Sequence, residues 1–275
     1  MTVGPITRLR SELSALFKVV PFTERLRYLA SILRALPSVL GRRTLAPADA
    51  LMRHDVKMYL NGQVVTIPVG DVSRLLAGKD YTPTFGGIRE MYASNVYLRA
   101  FRPGIVLRNV VDLGGNRGLF SLLAVKAYGA DLAVSVEPVP HFGPVLKRLA
   151  EANQIALTRL PREEKFASAT AGDDRVTIPD LMERYGLKEI DFIKCDIEGG
   201  EFDVFAGDPA WLRKVRNIAL EMHPAKGSCA KLIETLERAG YSVLPTDQFG
   251  ARVGTDGPHY LYASRTGDLV DAIPA

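Results

Sequence analysis

The stretch Val110 to Phe120, Val-Val-Asp-Leu-Gly-Gly-Asn-Arg-Gly-Leu-Phe, constrains this chain more than any other. An apolar run through Ile105, Val106, Leu107, Val110, Val111 and Leu113 is stopped by Gly114 and Gly115, and apolar, helix-compatible sequence resumes at Leu119 after Gly118. Strand, tight glycine turn and helix in that order let a ligand approach the backbone and set its polar groups over the amides at a helix N-terminus. The expectation is a nucleotide or nucleoside crevice.

The sequence on either side supplies the rest of such a fold. Apolar strand signals recur near 132–136, 191–197, 217–222, 241–244 and 259–263, and helical signals near 119–128, 142–153, 178–185 and 229–239. Strands alternating with helices predict an α/β fold with a doubly wound, mostly parallel sheet. Upstream, Val56, Met58 and Leu60, then Asn61-Gly62, then Val64, Val65 and Ile67 predict a β-hairpin, expected to cover one side of the core. A helical stretch near 88–101 follows Gly86-Gly87, with Glu90 and Tyr92 on a solvated face or toward the crevice. The organisation expected is a helical extension over 1–43, a hairpin and helix capping region over 44–104, and the core over 105–275.

Charge separates the extension from the core. Residues 1–43 hold eight basic residues (Arg8, Arg10, Lys18, Arg25, Arg27, Arg34, Arg42, Arg43) against Glu12 and Glu24, about +6 in a chain of formal net charge +4. Two helices are expected over 7–36, one carrying Leu9, Leu13, Leu16, Phe17 and Val20, the other Leu26, Leu29, Ile32, Leu33 and Leu36. Pro21 separates them, Thr23 caps the second, and Pro37 with Gly41 ends it. The segment packs on the core or on a second copy in a homo-oligomer, or its arginines flank an apolar face that seats it on an anionic membrane surface. Two distant cysteines, Cys195 and Cys229, make neither a disulfide framework nor a zinc site and fit a reducing cytoplasm. No apolar run approaches the roughly 18 residues of a membrane span, and the N-terminus lacks the pattern of a signal peptide.

In open parallel sheets ligands bind beyond the C-terminal strand ends, and three ends here carry chemistry. At the first, Gly114, Asn116 and Gly118 replace the spacing of a dinucleotide fingerprint, and Asp112 suits an amino-bearing or cationic ligand better than a phosphate. At the second, Glu137, 19 residues after Gly118, can accept both hydroxyls of a ribose. At the third, alternation sets Lys194, Asp196 and Glu198 on one side of a strand, and Glu221 and His223 on one side of the next. Carboxylates this close make either a general-base cluster or a hard-metal site.

Taken together, Val110 to Gly118, Val136-Glu137-Pro138, the run Ile190 to Glu201 and Ala219-Leu-Glu-Met-His-Pro224 resemble the FkbM-type S-adenosylmethionine-dependent methyltransferases, over about residues 80 to 263. The string Lys-x-Asp-x-Glu-Gly-x-Glu from Lys194 to Glu201 is the most specific part. The resemblance implies a Rossmann-like class I methyltransferase, a seven-stranded sheet with an antiparallel C-terminal hairpin, acting on oxygen of a sugar, glycan or polyketide-type natural product. By the same resemblance Asp112, Gly114, Gly115, Asn116 and Gly118 surround the methionine part of the cofactor, Glu137 with Pro138 holds its ribose, and Lys194, Asp196, Glu198, Glu201, Glu221 and His223 face the transferred methyl and the acceptor. The sequence departs from the pattern after Asn153, where Ile155 to Thr158 is the expected remnant of a further strand; the adenine contacts stay unassigned.

Methyl transfer to an alcohol needs donor and acceptor held in line and a base for the hydroxyl proton. The expected base is His223 or Asp196, with Glu221 orienting it and Lys194 stabilising negative charge. A metal version has Asp196, Glu198 and Glu221 holding Mg²⁺ against acceptor hydroxyls. The rival from another class is a catalytically silent protein that keeps the cofactor fold and docks to a membrane or enzyme complex through residues 1–43. Nucleic acid is not an expected partner, since the basic residues gather at the N-terminus with no aromatic interleaving, and the turn spacing disfavours a dehydrogenase.

Overall fold

The computed structural model describes residues 5–79, 82–206, 209–270 and 273, without the side chains of residues 5–8, so the Arg8 side chain lies outside the described residues. The chain forms two compact units: one holds residues 1–96, 117–127 and 141–157, the other 97–116, 128–140 and 158–275.

In the first unit, α1 (Pro5–Val19), α2 (Phe22–Arg34) and α3 (Leu36–Arg42) follow one another. Pro21, not Thr23, occupies the N-cap of α2. Pro37 opens α3 instead of ending α2, because a proline in a first helical turn gives up an N–H that has no partner there anyway. Strands β1 (Val56–Leu60) and β2 (Gln63–Ile67) pair antiparallel with Leu60 opposite Gln63, and the turn residues Asn61 and Gly62 both have positive φ, as the Asn-Gly signal requires. The hairpin packs on the helices Leu119–Ala127 and Gly143–Ala152. Asn153 locks it from the side, accepting from Thr66 N at 2.8 Å and donating to Thr66 O at 2.7 Å. The helix at Thr84–Ile88 ends in a π turn, Arg89–Ala93, short of the expected residue 101. Tyr92 is buried and donates to Leu119 O at 2.7 Å, while Glu90 is exposed.

The second unit is built on a seven-stranded sheet. Its strands are β3 (Asn109–Leu113), β4 (Leu132–Val136), β5 (Arg162–Glu163), β8 (Ile190–Cys195), β9 (Val215–Glu221), β10 (Ser242–Thr246) and β11 (Tyr260–Ser264), in the order β10-β11-β9-β8-β3-β4-β5. The five strands from β9 to β5 run parallel, and β11 is antiparallel to both neighbours. This is the Rossmann-like class I methyltransferase sheet, with its antiparallel C-terminal hairpin. Strand β8 is buried at all six positions, as a central parallel strand must be. Its apolar residues share a core with Leu181, Leu212, Leu232 and Leu236. The remnant strand is not Ile155 to Thr158: residues 157–159 form a 3-10 turn, and the edge strand is β5, which pairs Ser135 with Arg162 and Val136 with Glu163. A separate two-stranded parallel ladder joins β6 (Phe166–Ala167) to β7 (Arg175–Val176).

Candidate active site

Register explains the first feature of the site. Asp112 of β3 is paired with Lys194 of β8, and Leu113 with both Cys195 and Val136, so three strands end level with the glycine turn. Lys194 is buried, its Nζ 3.3 Å from the fully buried Asp112 carboxylate and 3.9 Å from Asp196 Oδ2. It donates to Gly114 O at 2.7 Å and stands 5.2 Å from the Tyr97 ring centroid. Burial opposes the ammonium charge, but Asp112 and Asp196 outweigh it and hold the Lys194 pKa above its ordinary value. The charge of Asp112 is therefore met by Lys194, and Lys194 fixes the turn from beneath.

The turn admits no side chain. Gly114 has φ +72°, and a Cβ there would lie 1.7 Å from Asp196 O; one on Gly115 would lie 1.9 Å from Ser135 Oγ. Gly114 N and Gly115 N both donate to Val136 O, at 2.9 and 3.1 Å, and Asp196 N to Leu113 O at 3.0 Å. Gly118, in the first unit, has φ +81° with Leu146 Cδ1 2.3 Å from where its Cβ would be. Glu137 sits at the tip of β4, nearly buried, accepting from Asn116 N through Oε2 at 3.0 Å and, past Pro138, from Val139 N through Oε1 at 3.0 Å. Arg162 braces the bend by donating to Glu137 O at 3.0 Å. Each Glu137 oxygen keeps a second lone pair, so the carboxylate is oriented with capacity left for a vicinal diol. A side-chain-free cradle beside such a carboxylate fits the nucleoside of S-adenosylmethionine.

Beyond the turn stand two histidines and their carboxylates. Glu201, fully buried, accepts from His223 N and from His223 Nδ1, both at 3.0 Å, and through Oε2 from Gly199 N at 2.9 Å. His223 Nε2 lies 3.3 Å from Glu198, an exposed carboxylate on a residue with φ +54°. Burial opposes protonation of His223, yet the Glu201 hydrogen bond and the charges of Glu201, Glu198 and Asp196 raise its pKa above 6.5. Glu201, where Glu221 was expected, holds the His223 ring, and Glu221 has other partners. Its carboxylate is 3.6 Å from His259 Nε2 and 3.2 Å from the Tyr97 hydroxyl, which is also 3.1 Å from Asp196 Oδ2. Burial, Arg99 and His223 together lower the His259 pKa. Among the described residues Asp196, Glu198 and His223 bring ligand atoms within 4.8 Å of one another. The grouping has His223 where Glu221 was expected; the Glu221 carboxylate instead meets His259 and Tyr97.

Tyr97 and His259 carried no sequence signal, since each reaches the site by a chain path that no local spacing encodes. Glu201 was visible, but its pairing with His223 depends on the helix Glu201–Val204 lying at the end of β9.

The model of the Methyltransferase FkbM domain matches residues 162–243, which contain Lys194, Asp196, Glu201, Glu221 and His223. Over that span the chain is similar to an FkbM-type methyltransferase domain. It is an S-adenosylmethionine-dependent methyltransferase, and its relatives are consistent with that. "Methyltransferase 1" of Beauveria bassiana is 25% identical over 180 residues, 49% of this chain and 72% of the relative. "Methyltransferase sdnD" of Sordaria araneosa is 24% identical over 190 residues, 49% of this chain and 73% of the relative. The AMB antimetabolite synthetase AmbE of Pseudomonas aeruginosa is 28% identical over 265 residues, which is 70% of this chain but 12% of that protein. Among solved structures, the FkbM methyltransferase of Methylobacillus flagellatus KT aligns at TM-score 0.42 and 19% identity, over 66% of this chain and 54% of that one.

Proposed function

We propose that this FkbM-type methyltransferase transfers a methyl group to a hydroxyl of a sugar, glycan or polyketide-type natural product, with His223 as the base. The observation that carries the proposal is the His223–Glu201 pair, with Glu201 buried and bonded at 3.0 Å to Nδ1. An ionised Glu201 can only accept, so it fixes the tautomer with hydrogen on Nδ1 and leaves Nε2 as the basic nitrogen. S-adenosylmethionine, when bound, supplies an electrophilic methyl on a sulfonium. Glu137 holds the ribose hydroxyls, Lys194 holds the Gly114 carbonyl and so the turn, and His223 Nε2 takes the proton of the acceptor hydroxyl. Tyr97, between Asp196 and Glu221, positions both carboxylates on the acceptor side. A natural-product acceptor is supported by one relative being an antimetabolite synthetase. A cytoplasmic setting belongs to the same proposal, supported by two free, buried thiols, Cys195 and Cys229.

The test is transfer of labelled methyl to a panel of hydroxyl acceptors by the parent, His223→Ala and Glu201→Gln. Loss of about 10²–10⁴-fold in kcat for His223→Ala is expected of a general base; activity within a few-fold of the parent removes His223 from that role. Donor binding with no transfer to any acceptor would instead favour a silent interaction protein. A divalent cation on Asp196, Glu198 and His223 is a second reading, resting on their convergence within 4.8 Å. The imidazole in that set departs from the oxygen donors Mg²⁺ prefers, and activity unaffected by exhaustive chelation eliminates the reading.

A further inference from the structure

Helix α2 is packed inside out. Its buried residues are Glu24, Tyr28 and Ser31. Each directs a polar atom at the surrounding unit: Tyr28 donates to Asp49 at 2.6 Å, Glu24 lies 2.7 Å from His54 Nε2, and Ser31 donates to Met52 Sδ at 3.5 Å, while Glu24 also pairs with Arg27 within the helix at 2.9 Å. The leucines that would normally face a core face outward. Phe22 is 68% exposed, Leu26 51%, Leu29 39% and Leu33 70%, and the row continues on α3 with Leu36 at 39% and Leu40 at 62%. These six recur at alternating steps of four and three, so they form one stripe along both helices. The neighbouring α1 does the opposite, burying Leu16 completely.

The charges beside the stripe identify what covers it. Between residues 20 and 45 there are five arginines, Arg25, Arg27, Arg34, Arg42 and Arg43, and the single acidic residue is Glu24. Arg27, Arg34, Arg42 and Arg43 are exposed, whereas Glu24 is buried and already committed to His54 and Arg27. A second copy laid against this stripe would set arginine against arginine, with no carboxylate in the segment to answer them. A surface of anionic phospholipid answers both features: acyl chains take the six apolar side chains, and headgroups take the guanidinium groups. No described helix is long and apolar enough to cross a membrane, so the contact lies in the interfacial plane.

We infer that the stripe from Phe22 to Leu40, with its flanking arginines, docks the protein on the surface of an anionic bilayer. The inference is independent of the acceptor and of the base proposed above.

The experiment is sedimentation of the full chain with vesicles of phosphatidylcholine alone and of phosphatidylcholine with about a third phosphatidylglycerol. Binding to the anionic vesicles, weak binding to the neutral ones, and weakening by salt are expected. Leu26→Gln/Leu33→Gln/Leu40→Gln removes apolar contact at three exposed positions and is expected to abolish binding. Arg27→Gln/Arg34→Gln/Arg42→Gln is expected to weaken it on the order of a hundredfold, at roughly 1 kcal/mol for each arginine near the surface. Unchanged far-ultraviolet circular dichroism and melting temperature show that both variants fold. Absent binding, equal binding to both vesicle types, or either variant binding like the parent overturns the inference. So does a concentration-dependent dimer without vesicles that the leucine variant abolishes while vesicles bind nothing, since the stripe would then be an interface between copies.

Discussion

Replacing Lys194 with methionine tests the central electrostatic feature of the site. The ammonium is 1% exposed and the facing Asp112 carboxylate 0%, at 3.3 Å, with the Gly114 carbonyl 2.7 Å from the same nitrogen. Methionine keeps most of the side chain's bulk but leaves Asp112 charged and buried without its cation, a change that costs about 3–5 kcal/mol. The chain has one tryptophan, Trp211, which packs against Phe205 in the sheet-bearing unit at 5.4 Å between ring centroids, so its fluorescence reports the unfolding of that unit in urea. With a urea slope of about 2 kcal/mol per molar, the midpoint should fall by about 2 M. Adding Asp112→Asn removes the stranded charge, and the double variant should recover more than half of the loss. A Lys194→Met midpoint within about 0.5 M of the parent, or a double variant no more stable than the single one, would refute the reasoning.

Three further outcomes are expected. Gly114→Ala places a Cβ 1.7 Å from Asp196 O at a φ of +72°, so left-handed strain and overpacking together should destabilise the protein by about 2–5 kcal/mol and weaken donor binding, read by melting and calorimetry. Glu137→Gln removes a charged acceptor and should lower S-adenosylmethionine affinity by about 10- to 150-fold, the equivalent of about 1.5–3 kcal/mol for a charge-assisted hydrogen bond; unchanged calorimetric affinity would exclude a ribose contact. The His223 pKa lies above 6.5, so kcat/KM should rise with pH through a limb above that value, and Glu201→Gln should move the limb down, because burial then acts with less opposition. In folding, the same raised pKa makes protonated His223 stabilising below about pH 6.5, an effect lost as pH climbs through the folded-state value; a limb unmoved by Glu201→Gln counts against the pairing.

Much of the sheet was legible because parallel strands are apolar runs bounded by glycine and proline, a local signal. The placement of Gly114, Glu137, Lys194 and Asp196 at strand ends was legible for a related reason: strand ends in such sheets fall where the apolar run stops, and Asp196 follows directly on the last residue of β8. The edge strand was misplaced because β5 is the polar pair Arg162–Glu163, held by β4 on one side and carrying no periodicity of its own. The partner of His223 was misassigned because alternation relates Glu221 to His223 along one strand, whereas hydrogen bonding relates Glu201 to His223 across two elements.

Sequence by itself determined the Rossmann-like sheet, the glycine turn that excludes a dinucleotide fingerprint, and the set of acidic residues near the crevice, since each follows from spacing along one strand or one turn. Tertiary structure decided the pairings: Lys194 with Asp112 rather than with open solvent, Glu201 with His223, Tyr97 between Asp196 and Glu221. It also decided which face of α2 points outward. Helical periodicity gives a stripe of leucines but not its direction. The contacts of Glu24 with His54, Tyr28 with Asp49 and Ser31 with Met52 turn that stripe away from the core, because buried polar groups must find partners while leucines can be covered from outside.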